Sequence, residues 1–177
     1  GSIAVADPAV GRPIAETLED LGWRVSPDDA WLALRGLRTL PLRYGEQGRS
    51  ALRVAEWLQA RPEVARVLYP PLPGSPGHAL WRRDYDGAAS ILGVVLNGGT
   101  PASADALLDS LTLFGLGFSW GGFESLITHE TSQLAWRQAP PTLAGPLLRL
   151  HIGLEDPVEL IADLEQGLDR FGTGRRL

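Results

Sequence analysis

"LLRLHIGLEDPVELIADLEQGL", residues 147–168, joins two stretches of different period, and its reading decides the fold. In residues 147–154, Leu148, Leu150, Ile152 and Leu154 fall on one face and Arg149 and His151 on the other, the alternation of a strand with one polar face. Asp156 then stands as an N-cap, Pro157 at the first helical position and Glu159 at the third. Ile161, Leu164, Leu168 and Phe171 follow at i, i+3, i+7 and i+10, the apolar stripe of a helix. A strand with an apolar face leading into a helix with an apolar stripe predicts a sheet covered by helices.

Working outward, "SILGVVLNG" (90–98) is apolar on both faces and reads as a central strand covered on both sides. Thr100-Pro101 caps a helix carrying Leu107, Leu108 and Leu111, and "VARVLYP" (64–70) reads as another strand. "PPLPGSPGH" (70–78) is dense in proline and glycine and reads as a loop. Residues 63–172 are therefore expected to form a compact α+β domain with a mostly antiparallel sheet covered by helices. Upstream, "SIAVA" (2–6) reads as a buried strand, and Asp7-Pro8 opens a helix to about Leu21. Residues 28–60 carry helical spacing through Trp31, Leu34, Leu52, Ala55 and Leu58, with Pro41 expected to kink or end the helix. They read as a broken helical connector.

The chain has 177 residues, a net charge of -5 and a pI near 5.2, without a basic run. No footprint for nucleic acid or an anionic membrane is present, and no long apolar stretch or export signal stands out. The expected compartment is the cytoplasm. Cysteine and methionine are both absent, and a missing initiator suggests a processed or truncated segment. All sixteen basic residues are arginine, so no lysine is available to form a Schiff base.

"GFSWGGFES" (117–125) contains the Gly-x-Ser-x-Gly spacing of a hydrolase nucleophile elbow at Ser119. An elbow needs an acid and a histidine downstream. Between Ser119 and His129 or His151 there is no aspartate, and Glu124 and Glu130 are the acids available. A tight turn with Gly121 and Gly122 at positive φ is the better reading, and such a turn lets backbone amides and the Ser119 hydroxyl approach an anion. Arg149 must reach solvent or an anionic partner, because an unpaired buried guanidinium is very costly. It serves either in a structural ion pair or as a two-toothed clamp on a carboxylate. His151, on the same strand face, is expected to be partly exposed. With His78 and His129 it makes no metal-ligand spacing.

"GFSWGGFESL" followed by "LLRLHIGLEDPVELIADLEQGL", with "DDAWLALRGLRTLPLR" and "VAEWLQARPEVARVLYPPLPGSPGH" upstream, closely resembles the C-terminal part of the pyridoxal-phosphate (PLP)-dependent enzymes of cysteine and methionine metabolism. The blocks stand in family order over nearly the whole chain. Trp120 is similar to the cystathionine β-lyase branch, while Phe118 stands where those relatives carry tyrosine. The resemblance implies a fold-type-I enzyme, with the end of the large cofactor-binding domain and the start of the connector at 1–45, a connector helix at 46–62 and the small C-terminal domain at 63–177. It implies β-elimination of a sulfur amino acid, cystathionine, to homocysteine, pyruvate and ammonia, by a homo-oligomer. Arg149 would grip the substrate α-carboxylate, with Ser119 and Trp120 positioning it. A γ-synthase or γ-lyase relative and a non-catalytic assembly domain are the alternatives. The lysine that binds the cofactor is expected upstream of this segment, leaving residues 1–177 inactive alone, with "SIAVA" and Trp23 exposed and prone to drive self-association.

Overall fold

The computed structural model describes residues 3–134, 136–139 and 141–173, and divides the chain into two compact units, Gly1–Leu40 and Pro41–Leu177. In the first unit, helix α1 (Pro8–Asp20) starts where expected: the Asp7 carboxylate accepts from the Ala9 N–H at 2.8 Å, and Pro8 occupies the first turn, where its missing N–H costs nothing. Residues 3–6 form no strand, contrary to expectation, and Ile3 is 69% exposed. An apolar run becomes a strand only beside a neighbour that bonds its backbone, and these residues have none among the described ones. Ser2 lies outside the described residues.

Helix α2 (Pro27–Gln59) runs on through Pro41, so of the two expected outcomes, a kink or an end, the proline does not end the helix. Proline there forfeits one backbone bond, and the turns on either side persist. Within the second unit the helix buries Ala51, Val54, Ala55 and Leu58, four residues on one helical face.

The sheet contains β1 (Val64–Leu68), β2 (Ile91–Leu96), β3 (Gly115–Leu116), β4 (Leu126–His129) and β5 (Leu147–His151). Its order is β1-β2-β5-β4-β3. All neighbours are antiparallel except β3 and β4, so the sheet is mixed and mostly antiparallel. The middle position belongs to β5, with β2 beside it. Helices α3 (His78–Asp84), α4 (Pro101–Ser110), α5 (Thr131–Leu134) and α6 (Pro157–Thr173) complete the unit. The loop at 70–77 forms as expected, turning through Gly74 and Gly77 at positive φ; α3 after it was not anticipated.

One face of the sheet carries Leu92, Val94, Leu96, Ile127, Leu148 and Leu150, all at most 3% exposed. Onto it pack Leu58 of α2, Leu107 of α4, and Leu164, Leu168 and Phe171 of α6. Each such leucine contributes about 1.5–3 kcal/mol by leaving water. Helix α4 starts in a reciprocal capping box between Thr100 and Ser103, and Asp156 accepts from the Val158 N–H at the start of α6. This apolar layer fixes the register of β5, and so sends Arg149 and His151 to the opposite face.

Candidate substrate-binding site

Arg149 pairs in register with Gly93 on β2 and with Thr128 on β4. Its guanidinium donates from Nη2 to the Gly117 carbonyl at 3.2 Å, and Cζ lies 6.0 Å from the centre of the Phe118 ring. The group thus stands beside the glycine-rich bend. Its side chain keeps 26% of its surface open, so it is neither a core residue nor a free surface arginine. Nε faces Glu130 at 3.8 Å, a loose ion pair, while Thr128 Oγ1 donates to the same Glu130 oxygen at 2.5 Å.

That arrangement has a chemical consequence. Glu130 offsets the guanidinium charge when nothing else is bound, yet at 3.8 Å it does not saturate the fork. A carboxylate that met the remaining N–H groups at hydrogen-bond distance would make closer charge-assisted contacts than Glu130 makes. Above the same face lies an open cavity of about 330 Å³ lined by Leu68, Gly93, Glu130, Arg137, Leu147 and Arg149. Gly93 keeps its floor clear: a Cβ there would come within 3.3 Å of Leu68.

The bend is tied down at its ends and open at its crest. Gly115 N–H donates to the Ser125 carbonyl at 3.0 Å, and Leu154 N–H to the Phe123 carbonyl at 2.8 Å. Ser125 donates its N–H and hydroxyl to the two oxygens of Glu155, at 2.7 and 2.8 Å. Between these ties Phe118 and Trp120 are 68% and 64% exposed, and Ser119 is exposed with them. Gly121 turns the chain at φ +80°, whereas Gly122 does not adopt positive φ, so one glycine does what two were expected to do. The bend runs into strand β4 rather than a helix, which removes the context of a nucleophile elbow.

His151 corrects another expectation: it is 1% exposed. Its Nδ1 accepts from the Ser90 hydroxyl at 2.9 Å and from the Gly121 N–H at 3.4 Å, while Nε2–H donates to the Gly122 carbonyl at 3.2 Å. Gln47 of α2 donates to that same carbonyl at 2.5 Å. Sequence reasoning missed these ties because Gln47 and Ser90 are remote in the chain; the signal available was the placement of His151 beside Arg149 on one strand face.

The other histidines serve structure. His129 pairs with Asp105 at 3.1 Å, and His78 bonds the Pro70 carbonyl at 2.8 Å. No metal-binding cluster occurs among the described residues, and none of their helices is long and apolar enough to cross a membrane. A second cavity, about 510 Å³, is mainly apolar and lined by Tyr69, Leu80, Trp81, Tyr85 and Ile91 among others. Burial, with a smaller contribution from Tyr44, pushes the Tyr69 phenol well above its ordinary pKa, so it stays a neutral donor to the Ala89 carbonyl.

The α+β unit that carries Arg149 on its central strand has the fold of solved fold-type-I PLP enzymes. The fold matches cystathionine gamma-synthase from Xanthomonas oryzae pv. oryzae, solved in complex with cystathionine, at TM-score 0.86 and 36% identity, covering 97% of this chain and 45% of that one. The cystathionine beta-lyase of Bordetella avium is 51% identical over 171 residues, 96% of this chain and 43% of its own length. That of Escherichia coli (strain K12) is 42% identical over 172 residues, 95% of this chain and 44% of its own length. The family described as Cys/Met metabolism PLP-dependent enzyme matches residues 1–169. The chain belongs to this family, and it spans less than half the length of these curated relatives.

The residues present fit only part of what that cofactor requires. The chain has no lysine to anchor it covalently, and the cation on the site's face of β5 is a single guanidinium already sharing one N–H with Gly117. These residues supply no covalent anchor for PLP.

Proposed function

We propose that this chain is the substrate-closing C-terminal portion of a PLP-dependent carbon–sulfur lyase whose complete form splits cystathionine by β-elimination to homocysteine, pyruvate and ammonia. One observation carries the reading: the Arg149 guanidinium lies against the Gly117 end of the bend, 3.2 Å from its carbonyl, and its fork is incompletely satisfied among the described residues. Arg149 grips the substrate α-carboxylate; Ser119 and Trp120, on the exposed crest beside it, orient the substrate and cover its apolar part. PLP, when bound in the complete enzyme, supplies the electron sink for the elimination. Phe118 carries no hydroxyl, so a proton moved at the crest must use Ser119 or water.

The β-lyase reading is supported by likeness to the lyases of B. avium and E. coli. A γ-synthase is the second reading, favoured by the fold's likeness to the X. oryzae enzyme and by 37% identity over 170 residues to the cystathionine gamma-synthase of Mycobacterium bovis. Assays of the complete enzyme with cystathionine alone, and with an activated homoserine plus cysteine, separate the two. We also propose a homo-oligomeric, cytoplasmic enzyme, with residues 1–45 forming the end of the large domain and the start of the connector, and 46–62 the connector helix.

The test is Arg149→Ala in the complete enzyme. Loss of a charge-assisted pair predicts a fall in kcat/KM for cystathionine of about 10²–10³. An unchanged kcat/KM overturns the assignment and points instead to an assembly role for this domain.

A further inference from the structure

Arg149 and His151 sit two residues apart on the same face of β5, and each reaches one end of the glycine-rich bend. Arg149 holds the Gly117 carbonyl at 3.2 Å, and His151 holds the Gly121 N–H at 3.4 Å and the Gly122 carbonyl at 3.2 Å. Between those grips lie Phe118, Ser119 and Trp120, all exposed. The crest is therefore set by two adjacent rungs of the central strand. Ser90 and Gln47, respectively 6% and 3% exposed, orient the second rung by donating to His151 Nδ1 and to the Gly122 carbonyl.

The ring can do this in one form only. Nδ1 faces the Gly121 N–H, which can only donate, so it carries no proton, and the Ser90 hydroxyl, able to turn either way, then donates to it as well. Nε2 faces a carbonyl, so it must carry one. We propose that His151, as the neutral Nε2–H tautomer, is a positioning residue that fixes Gly121-Gly122 and thereby places Ser119 and Trp120 for the substrate whose carboxylate Arg149 grips. This rests on the reading of Arg149 given above. Burial holds the imidazole pKa below its usual value, although the Gly122 carbonyl and the Glu155 carboxylate draw it up; Arg149 adds to the depression. The required neutral form is thus the prevailing one at neutral pH.

The test uses the complete enzyme with His151→Gln, His151→Asn and His151→Leu beside Arg149→Ala. Glutamine can donate where Nε2–H does, asparagine can accept where Nδ1 does, and leucine does neither. Two readouts apply: kcat/KM for cystathionine, and backbone hydrogen exchange of peptides covering residues 117–125. The expected result for leucine is a fall in kcat/KM of about tenfold to a hundredfold, with exchange in the bend faster by about tenfold or more and exchange in β2 and β5 unchanged. Glutamine and asparagine should each recover part of both losses.

Wild-type exchange and wild-type kcat/KM in all three His151 variants, with Arg149→Ala strongly impaired, would overturn the positioning role and leave the substrate site intact. Unimpaired Arg149→Ala would overturn the substrate-site reading itself, while bend exchange still reports whether His151 holds the loop. If leucine prevents folding, the glutamine and asparagine variants decide: equal exchange in the bend for both and for wild type rejects the proposal.

Discussion

Gly121 carries the bend through φ +80°, a conformation costly for any residue with a Cβ, although a Cβ there would meet nothing within 4 Å. The obstacle to substitution is thus backbone strain, not space. Gly121→Ala is expected to lower stability by about 1–2 kcal/mol, read as a shifted urea midpoint at unchanged slope, whereas Gly122→Ala should cost less because Gly122 lies outside the positive-φ region. Arg149→Lys separates charge from shape: a lysine keeps the charge but loses the planar fork. It should reduce kcat/KM of the complete enzyme by about tenfold or more, chiefly through KM. Arg149 was legible in sequence because an arginine flanked by leucines on an alternating strand has few places to go. His151 had the same signature and was misjudged, since its burial depends on Gln47 and Ser90, whose approach no local pattern reveals.

Among the elements, α6 and α4 were the most legible because their caps and apolar spacing are local, and both formed with those caps. Residues 3–6 were misread because an apolar run sets a preference that the surrounding chain can leave unmet, whereas Pro41, expected to kink or end its helix, does not end it. A further tie between elements was invisible in the sequence. Asp163 of α6 reaches the turn after α4, accepting from the N–H groups of Thr112, Leu113 and Phe114 at 2.8–3.3 Å and from the Thr112 hydroxyl at 2.9 Å. Burial alone would raise its pKa, but these donors and Gln166 hold the carboxyl below its ordinary value. A carboxyl with a depressed folded-state pKa adds stability that is fully present above the unfolded value, about 3.9, and is lost as pH falls through the folded value. Wild type should therefore lose stability below about pH 4, and Asp163→Asn, with an amide turned toward backbone donors, should lose about 2–4 kcal/mol at pH 7 and show a flatter acid limb. Denaturant titrations of the two proteins from pH 3 to 7 check the sign; parallel acid limbs would assign the pH dependence to other groups.

For the whole molecule, two properties follow from what the chain displays and what it lacks. In the unit Gly1–Leu40, Ile3, Trp23, Val25, Trp31 and Leu37 are each more than half exposed, and α1 buries none of its residues. Apolar surface of this kind associates or binds apolar dyes. The isolated chain should therefore show concentration-dependent oligomers in sedimentation, reduced by Trp23→Ser with Trp31→Ser, and a monomer at all concentrations would contradict this. The second property is catalytic. All sixteen Lys and Arg positions are arginine, whose guanidinium groups stay protonated and do not form Schiff bases, so no side chain here offers a primary amine. Arg149 can grip a carboxylate, yet gripping the substrate without an anchored cofactor and a base lowers no barrier to breaking a C–S bond. Residues 1–177 mixed with PLP and cystathionine should release pyruvate no faster than PLP alone, measured through coupled reduction of pyruvate. Adding Arg149→Ala to that mixture should change nothing, although the same substitution in the complete enzyme is expected to be severe. Sustained pyruvate release by the purified chain, abolished by Arg149→Ala, would show that the site works without a lysine and would overturn this division of labour.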